Sequence, residues 1–336
     1  MQDSDTVLPV EAAEKEWIEA PEEDEKEDND NDEDESSSPF DLFANVDKSL
    51  KFPFDVLTKT TTMTTTTATK KVISNKKRLY LSGYKLDSDE TAQSTGVTLW
   101  DAAPRLANYI MNHDNNNNEH NEHNHEHEHE QDEGKVKEEN ENENRNMNML
   151  ITGKRVLELG SGLGLCGIVA YHIGAKYVMM TDADTITLEK MRFNVTQNCS
   201  STFTSTDTES GIATSSGSSR TSSSIDCKQL IWNEQLEIFH QKYGNWDTIL
   251  GADVIYTRES LEPLFDTVLF FLLQHQLENE NKDKLPSSVV GRFILSRYNK
   301  WGDISDETVL DAAKARNLIW TKPSEGIFIF QLKIIK

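Results

Sequence analysis

The stretch Val156-Leu157-Glu158-Leu159-Gly160-Ser161-Gly162-Leu163-Gly164-Leu165-Cys166-Gly167 constrains the fold more than any other part of the chain. Lys154–Leu159 reads as a short buried strand, an apolar run closed abruptly by glycine. The glycines arrive as G-x-G-x-G, with a fourth at Gly167, and Ile168, Val169, Ala170 and Ile173 follow at helical spacing. A strand, a tight glycine turn and a helix form the first unit of a doubly wound α/β sheet, whose ligand crevice opens at the strand's carboxyl end. Glycine is required where the backbone turns with positive φ or approaches a ligand too closely for a Cβ.

Gly162-x-Gly164-x-x-Gly167 also fits the dinucleotide fingerprint. Two details pull away from a nicotinamide cofactor. Glu158 stands two positions before the first glycine, inside the end of the strand, and the turn starts earlier, at Gly160. The plainest alternative is a glycine turn that only joins β to α.

The formal charge of −24 is unevenly spread. The first 48 residues hold 19 Asp/Glu against 3 Lys/Arg, and residues 112–148 hold 12 against 3, leaving the remainder close to neutral. Residues 1–70 therefore read as an acidic, Thr-rich disordered arm that cannot bury enough apolar surface to fold, with Thr58–Thr69 of low complexity. Pro39–Phe43 and Phe52–Phe54 are short apolar islands within it. The arm has no secretory or ordinary transit signal. No apolar run approaches a membrane span. Three cysteines without C-x-x-C spacing fit reduced thiols, so a cytoplasmic or nuclear location is expected.

A folded core at 71–336, the size of a single domain once the inserts are removed, is interrupted by low-complexity inserts at 113–148 and 200–224. The first insert holds six of the nine histidines, at 113, 120, 123, 125, 127 and 129. Imidazole and carboxylate both bind metals, but such a tract lacks a fixed second shell, and no metal site is expected. Strands are expected at Lys154–Leu159, Tyr177–Thr181, Lys228–Trp232, Thr248–Gly251 and Arg292–Leu295. Helices are expected at Leu163–Ile173, Thr187–Asn198, about Ser260 to Leu277, and Asp306–Arg316. Leu318–Thr321 and Ile327–Lys333 form a closing β pair. Alternating β and α elements predict a Rossmann-like, mainly parallel sheet with helices on both faces and a C-terminal antiparallel pair.

Ligands of such a sheet lie across the strands' carboxyl ends. Asp182, 22 positions after Gly160, is placed to accept both ribose hydroxyls, or else to cap a helix; Asp184 is the better cap. Trp232 and Trp100 offer aromatic planes that could stack on a cofactor base or simply fill the core. Asp253, at the end of the fourth strand, and Tyr256 three residues later stand at the rim beside the first strand.

These pieces together resemble the family-16 protein-lysine methyltransferases, a seven-strand branch of the S-adenosylmethionine-dependent enzymes that includes the methyltransferase-like 21 proteins. The resemblance rests on T-L-W-D-A-A at 98–103, V-L-E-L-G-S-G at 156–162, T-D at 181–182, L-I-W at 230–232 and A-D-V-I-Y at 252–256. The continuation E-S-L-E-P-L at 259–264 is most similar to the branch that methylates valosin-containing protein. The chain departs from relatives at Ser296-Arg297-Tyr298-Asn299-Lys300, where an acidic residue often accompanies the arginine. The resemblance implies cofactor contacts at Trp100, Glu158, Gly160, Gly162, Gly164, Asp182, Trp232 and Ala252. It implies that Asp253 and Tyr256 meet the reacting amine, that S-adenosyl-L-methionine is the cofactor, and that the substrate is a protein presenting a lysine. A monomer is expected. Competing readings are a methyltransferase acting on a small molecule or nucleic acid, a non-catalytic binding protein, and a nicotinamide oxidoreductase. The basic clusters Lys70-Lys71 and Lys76-Lys77-Arg78 are too short for a nucleic-acid surface.

Overall fold

A computed structural model describes residues 49–63, 70–119, 149–199, 224–280, 290–298 and 304–333. The expected acidic arm before residue 49, most of the His-rich tract and the Ser-rich tract lie outside these residues. The strands are β1 (Leu50–Met63), β2 (Lys70–Gly83), β3 (Arg155–Leu159), β4 (Tyr177–Asp182), β5 (Ser224–Gln229), β6 (Thr248–Ala252), β7 (Arg292–Ser296), β8 (Leu318–Ser324) and β9 (Ile327–Leu332). The α-helices are α1 (Asp89–Gln93), α2 (Ala102–Glu119), α3 (Leu165–His172), α4 (Thr185–Asn198), α5 (Leu236–Tyr243), α6 (Leu261–Glu280) and α7 (Asp306–Lys314).

Seven strands form one sheet in the order β5-β4-β3-β6-β7-β9-β8. Neighbours are parallel except around β9, which runs antiparallel to β7 and β8. Chain order reverses at β3, which lies between β4 and β6, so the switch point and its crevice fall beside the glycine turn. Successive β3 side chains enter opposite layers: Val156 joins the core under the hairpin, α2, α3 and α4, while Leu157 joins the core of α5, α6 and α7. In that second layer Phe265 lies edge-on to Phe293 and Phe330. Each of these fully buried rings contributes ~1.5–3 kcal/mol of transfer free energy.

The expected boundary at residue 70 is displaced. Leu50–Met63 is not part of an unfolded arm but a full strand, paired antiparallel with β2 from Leu50↔Gly83 to Met63↔Lys70. Phe52 and Val56 alternate into the core, and β-branched threonine suits a pleated strand. The open edge of β2 is occupied by α4: Tyr80 N–H donates to Asn198 Oδ1 (3.0 Å) and Ser82 N–H to Asn194 Oδ1 (2.8 Å), and both amide groups donate back to the same residues' carbonyls.

Residues His113–Glu119, expected within the first insert, continue α2. Asp114 on this helix is buried and accepts from the N–H groups of Leu150 (2.9 Å), Ile151 (3.0 Å) and Thr152 (2.7 Å), and from Thr152 Oγ1 (2.9 Å). It thereby joins the helix that leaves the core to the segment that re-enters it before β3.

Candidate active site

The glycine turn adopts the geometry that only glycine tolerates well, with φ of +61° at Gly160, +54° at Gly162 and +87° at Gly164. Gly164 also begins α3, whose first turn is buried. A Cβ on Gly160 would lie 2.9 Å from Val254 Cγ1 and 3.4 Å from Trp232 Cζ2, so Trp232 stands against the turn although β5 ends earlier, at Gln229. A Cβ on Gly162 would come within 3.2 Å of the Gly96 carbonyl oxygen. The segment before Trp100 therefore lies over the turn. Ser94 latches that segment to α4 through hydrogen bonds to Asp184 Oδ2 and to Thr187 Oγ1. Trp100 Nε1 donates to the Thr95 carbonyl at 2.8 Å.

Asp182 ends β4 and reaches this turn. Its Oδ2 accepts from Gly162 N–H at 3.2 Å and its Oδ1 from Asp184 N–H at 3.1 Å. Burial pushes its carboxyl above the ordinary range, against the pull of these bonds. The helix cap is Asp184, which accepts from Ile186 and Thr187 N–H groups. Asp182 thus keeps lone pairs for another donor.

Glu158 is placed differently. Its carboxylate is buried beneath the turn, 2% exposed, and Oε2 accepts from Gly167 N–H at 2.9 Å. Burial pushes its carboxyl up to about 8. Gly167 has no room for a side chain, since a Cβ would fall 2.3 Å from Met180 Sδ and 2.8 Å from that Oε2. In this conformation Glu158 braces the start of α3 from below.

Ala252 ends β6, next to β3, and Asp253 follows in the left-handed region at φ +52°. Asp253 Oδ2 accepts from Ala102 N–H and Oδ1 from Tyr298 N–H, each at 2.9 Å. One carboxylate therefore ties the start of α2 to the end of β7, contacts that sequence spacing did not reveal. Burial raises its carboxyl above the ordinary range. Tyr256, 58% exposed, stands at the rim. Ser296 Oγ and Arg297 Nε are buried near Asp253 with no hydrogen-bond partner among the described residues. A groove of about 630 Å³ lies elsewhere, along the start of α6 and α7, where Asp266 is already paired with Arg316 at 2.6 Å. No cluster of three or more His, Cys, Asp or Glu suited to a metal occurs among the described residues. No helix among them is long and apolar enough to cross a membrane.

A reversed parallel sheet with a left-handed glycine turn at its switch point, an acid at the end of the next strand and an Asp-x-x-Tyr at the end of the neighbouring one define a seven-strand methyltransferase-type domain. A family model described as lysine methyltransferase matches residues 83–277, more than half of the chain. The chain belongs to that lysine methyltransferase family. It is 35% identical over 118 residues to protein N-lysine methyltransferase METTL21A of Danio rerio, covering 35% of this chain and 44% of the relative. It is 32% identical over 127 residues to METTL21A of Xenopus tropicalis, covering 38% and 48%. It is 30% identical over 139 residues to protein-lysine methyltransferase METTL21E of Mus musculus, covering 38% and 49%. The chain spans about half the length of these curated relatives. They carry the 21A and 21E names, not that of the valosin branch which the segment at 259–264 resembles.

Proposed function

We propose that this protein methylates the side-chain amine of lysine in a protein substrate, using S-adenosylmethionine. The observation that supports this best is the coincidence, on adjacent strands of one sheet edge, of the glycine turn under Asp182 with Asp253 and Tyr256.

The residues present fit an adenosyl cofactor. Side chains are missing from Gly160 and Gly162 where they would crowd Trp232 and the Gly96 carbonyl, and Asp182 retains acceptor capacity beside them. Asp182 would hold the ribose hydroxyls, the turn's backbone the amino-acid portion, and Trp232 the base. When bound, S-adenosylmethionine supplies a methyl group on a sulfonium, which a neutral amine accepts.

The protein's own task is positioning, which contributes up to ~7–11 kcal/mol when reacting groups are held in line. Asp253 is held rigid by two backbone N–H groups and has remaining lone pairs for an amine N–H. That bond orients the nitrogen. Tyr256 presents its ring where the nitrogen becomes cationic. Free lysine has a pKa of about 10.4, so its proton must leave before transfer, and water takes it.

Full-length protein incubated with tritiated S-adenosylmethionine and heat-treated cell lysate should place label on protein, recovered as methyllysine after acid hydrolysis. Label confined to nucleic acid or small molecules would overturn the lysine assignment. Binding of NAD in preference to S-adenosylmethionine would overturn the cofactor.

A further inference from the structure

The groove of about 630 Å³ along the start of α6 and α7 has its mouth at the rim. Arg258 and Glu259 line it, two and three residues beyond Tyr256, and so does Asn233, which follows Trp232 directly. Asn233 is fixed there: its N–H donates to Thr267 Oγ1 at 2.7 Å, and that hydroxyl donates to the Pro263 carbonyl at 2.8 Å. Asn233 and Asp266 also line a second hollow of about 290 Å³ between α5 and α6, so the two are continuous. Leu269, Phe270 and Leu273 give this second part its apolar wall, and Leu273 is 42% exposed. Four carboxylates line the whole length, Glu237, Glu259, Glu262 and Asp266, against the two guanidiniums of Arg258 and Arg316. Arg316 is already engaged: Nε donates to Asp266 Oδ1 at 2.6 Å, Nη1 to the Ala312 carbonyl at 3.1 Å and Nη2 to the Glu262 carbonyl at 3.3 Å. Glu237, Glu259 and Glu262 are exposed. A channel with an apolar wall and an excess of negative charge therefore leads away from the rim.

We propose that this groove holds the stretch of substrate polypeptide next to the target lysine and selects stretches that carry both basic and apolar residues. This rests on the lysine methyltransferase reading and deepens it by giving the substrate a chemical class. Three residues of chain span at most ~10–11 Å, so Glu259 lies no farther than that from Tyr256, and a peptide leaving the rim enters the mouth within a few residues. Its cationic side chains meet Glu259 and Glu262 at the mouth and Glu237 farther along. Its apolar side chains reach Leu269, Phe270 and Leu273. A groove wall of one sign speeds encounter with the opposite sign and rejects its own. The first 48 residues of the chain, with 19 Asp/Glu against 3 Lys/Arg, carry the wrong sign to occupy it. A basic segment of another protein carries the right one.

The test uses full-length protein, tritiated S-adenosylmethionine and heat-treated lysate. Methyllysine formation is followed against lysate concentration, and the labelled sites are located by mass spectrometry. Wild-type sites should carry Lys or Arg together with an apolar residue within about four positions of the target, the reach of the mouth. The triple variant Glu237→Gln, Glu259→Gln, Glu262→Gln should raise the apparent KM by ~10-fold, the scale of several weak surface charge pairs lost together. Its maximal rate should stay at the wild-type level, because none of the three acids touches the reacting groups. Replacing the same three with Asp, which keeps the charge, should preserve the wild-type KM. High salt should bring wild type up to the KM of the Gln variant by screening. The proposal is overturned if the Gln variant keeps the wild-type KM, if the Asp variant loses as much as the Gln variant, if maximal rate falls while KM stays, or if the labelled sites lack basic neighbours. A wild-type dimer that the Gln variant loses at unchanged KM would overturn it too, by giving the groove to a second copy of the chain. Those results leave lysine methylation standing, while absence of any labelled methyllysine from wild type removes both readings.

Discussion

Replacing Glu158 with glutamine should flatten the pH dependence of stability between about 6.5 and 8. The buried carboxyl of Glu158 is pushed from 4.5 up to about 8, so between these values the native state keeps a proton that the unfolded chain has released. Its contribution is fully present below 4.5 and is lost as pH rises toward 8. His172 acts oppositely over part of that window, because burial lowers its pKa from 6.5 to about 4. Its contribution is present above 6.5 and is lost as pH falls. The two slopes offset one another between 4.5 and 6.5, and above that His172 no longer opposes Glu158. One proton across about 1.5 pH units, at about 1.4 kcal/mol each, gives ~2 kcal/mol. The thiols of Cys199 and Cys227 are pushed from 9 up to about 12 and titrate outside this range. Glutamine keeps an oxygen for Gly167 N–H and cannot titrate. Urea unfolding at pH 6.5, 7.25 and 8.0 measures the difference directly. A wild-type free energy that stays constant across these three values, or a variant that falls as steeply as wild type, would refute the reasoning.

Two further outcomes follow from the rim. Asp182→Ala removes the proposed pair of ribose hydrogen bonds, each worth ~1.5–3 kcal/mol; calorimetry should show a large rise in the dissociation constant for S-adenosylmethionine, and a change below twofold would count against the role. Asp253→Ala should be less stable than Asp253→Gly by ~1 kcal/mol, because a Cβ at φ +52° is strained. Equal unfolding free energies would show that left-handed strain is not what this position has to accommodate.

The glycine turn was legible in the sequence because its demand is local: positive φ at Gly160, Gly162 and Gly164 follows from a strand turning sharply into a helix. The alternation of strands and helices was legible because each buried strand is an apolar run. β1 was hidden by composition. Its Phe52 and Val56 alternate as a strand should, but the adjoining threonines read as a low-complexity tract, and only pairing with β2 decides between the two. α5 carries little signal, with Leu236 and Phe239 its only buried side chains. The register of β5 against β4, from Tyr177↔Ser224 to Asp182↔Gln229, shifts that strand earlier than expected and leaves Trp232 beyond it. For Asp253, spacing gave the strand end but not the partners. Ala102 and Tyr298 lie 151 and 45 residues away, and contacts of that range leave no periodic trace.

Asp114 decouples the core from whatever the chain does between Glu119 and Met149. With its carboxylate fastening α2 to Leu150, Ile151 and Thr152, the ends of that stretch are joined whatever its length. Closing a flexible loop costs only ~0.6 kcal/mol more for each doubling of its length. Repeat expansion at this point is therefore close to neutral for folding, which accounts for how an Asn/Glu/His run could accumulate inside a domain without dismantling it. The same anchor makes the stretch a port for protein engineering. The anchor itself stands before the amino end of β3, whereas Asp182 and Asp253 stand at the carboxyl ends of β4 and β6.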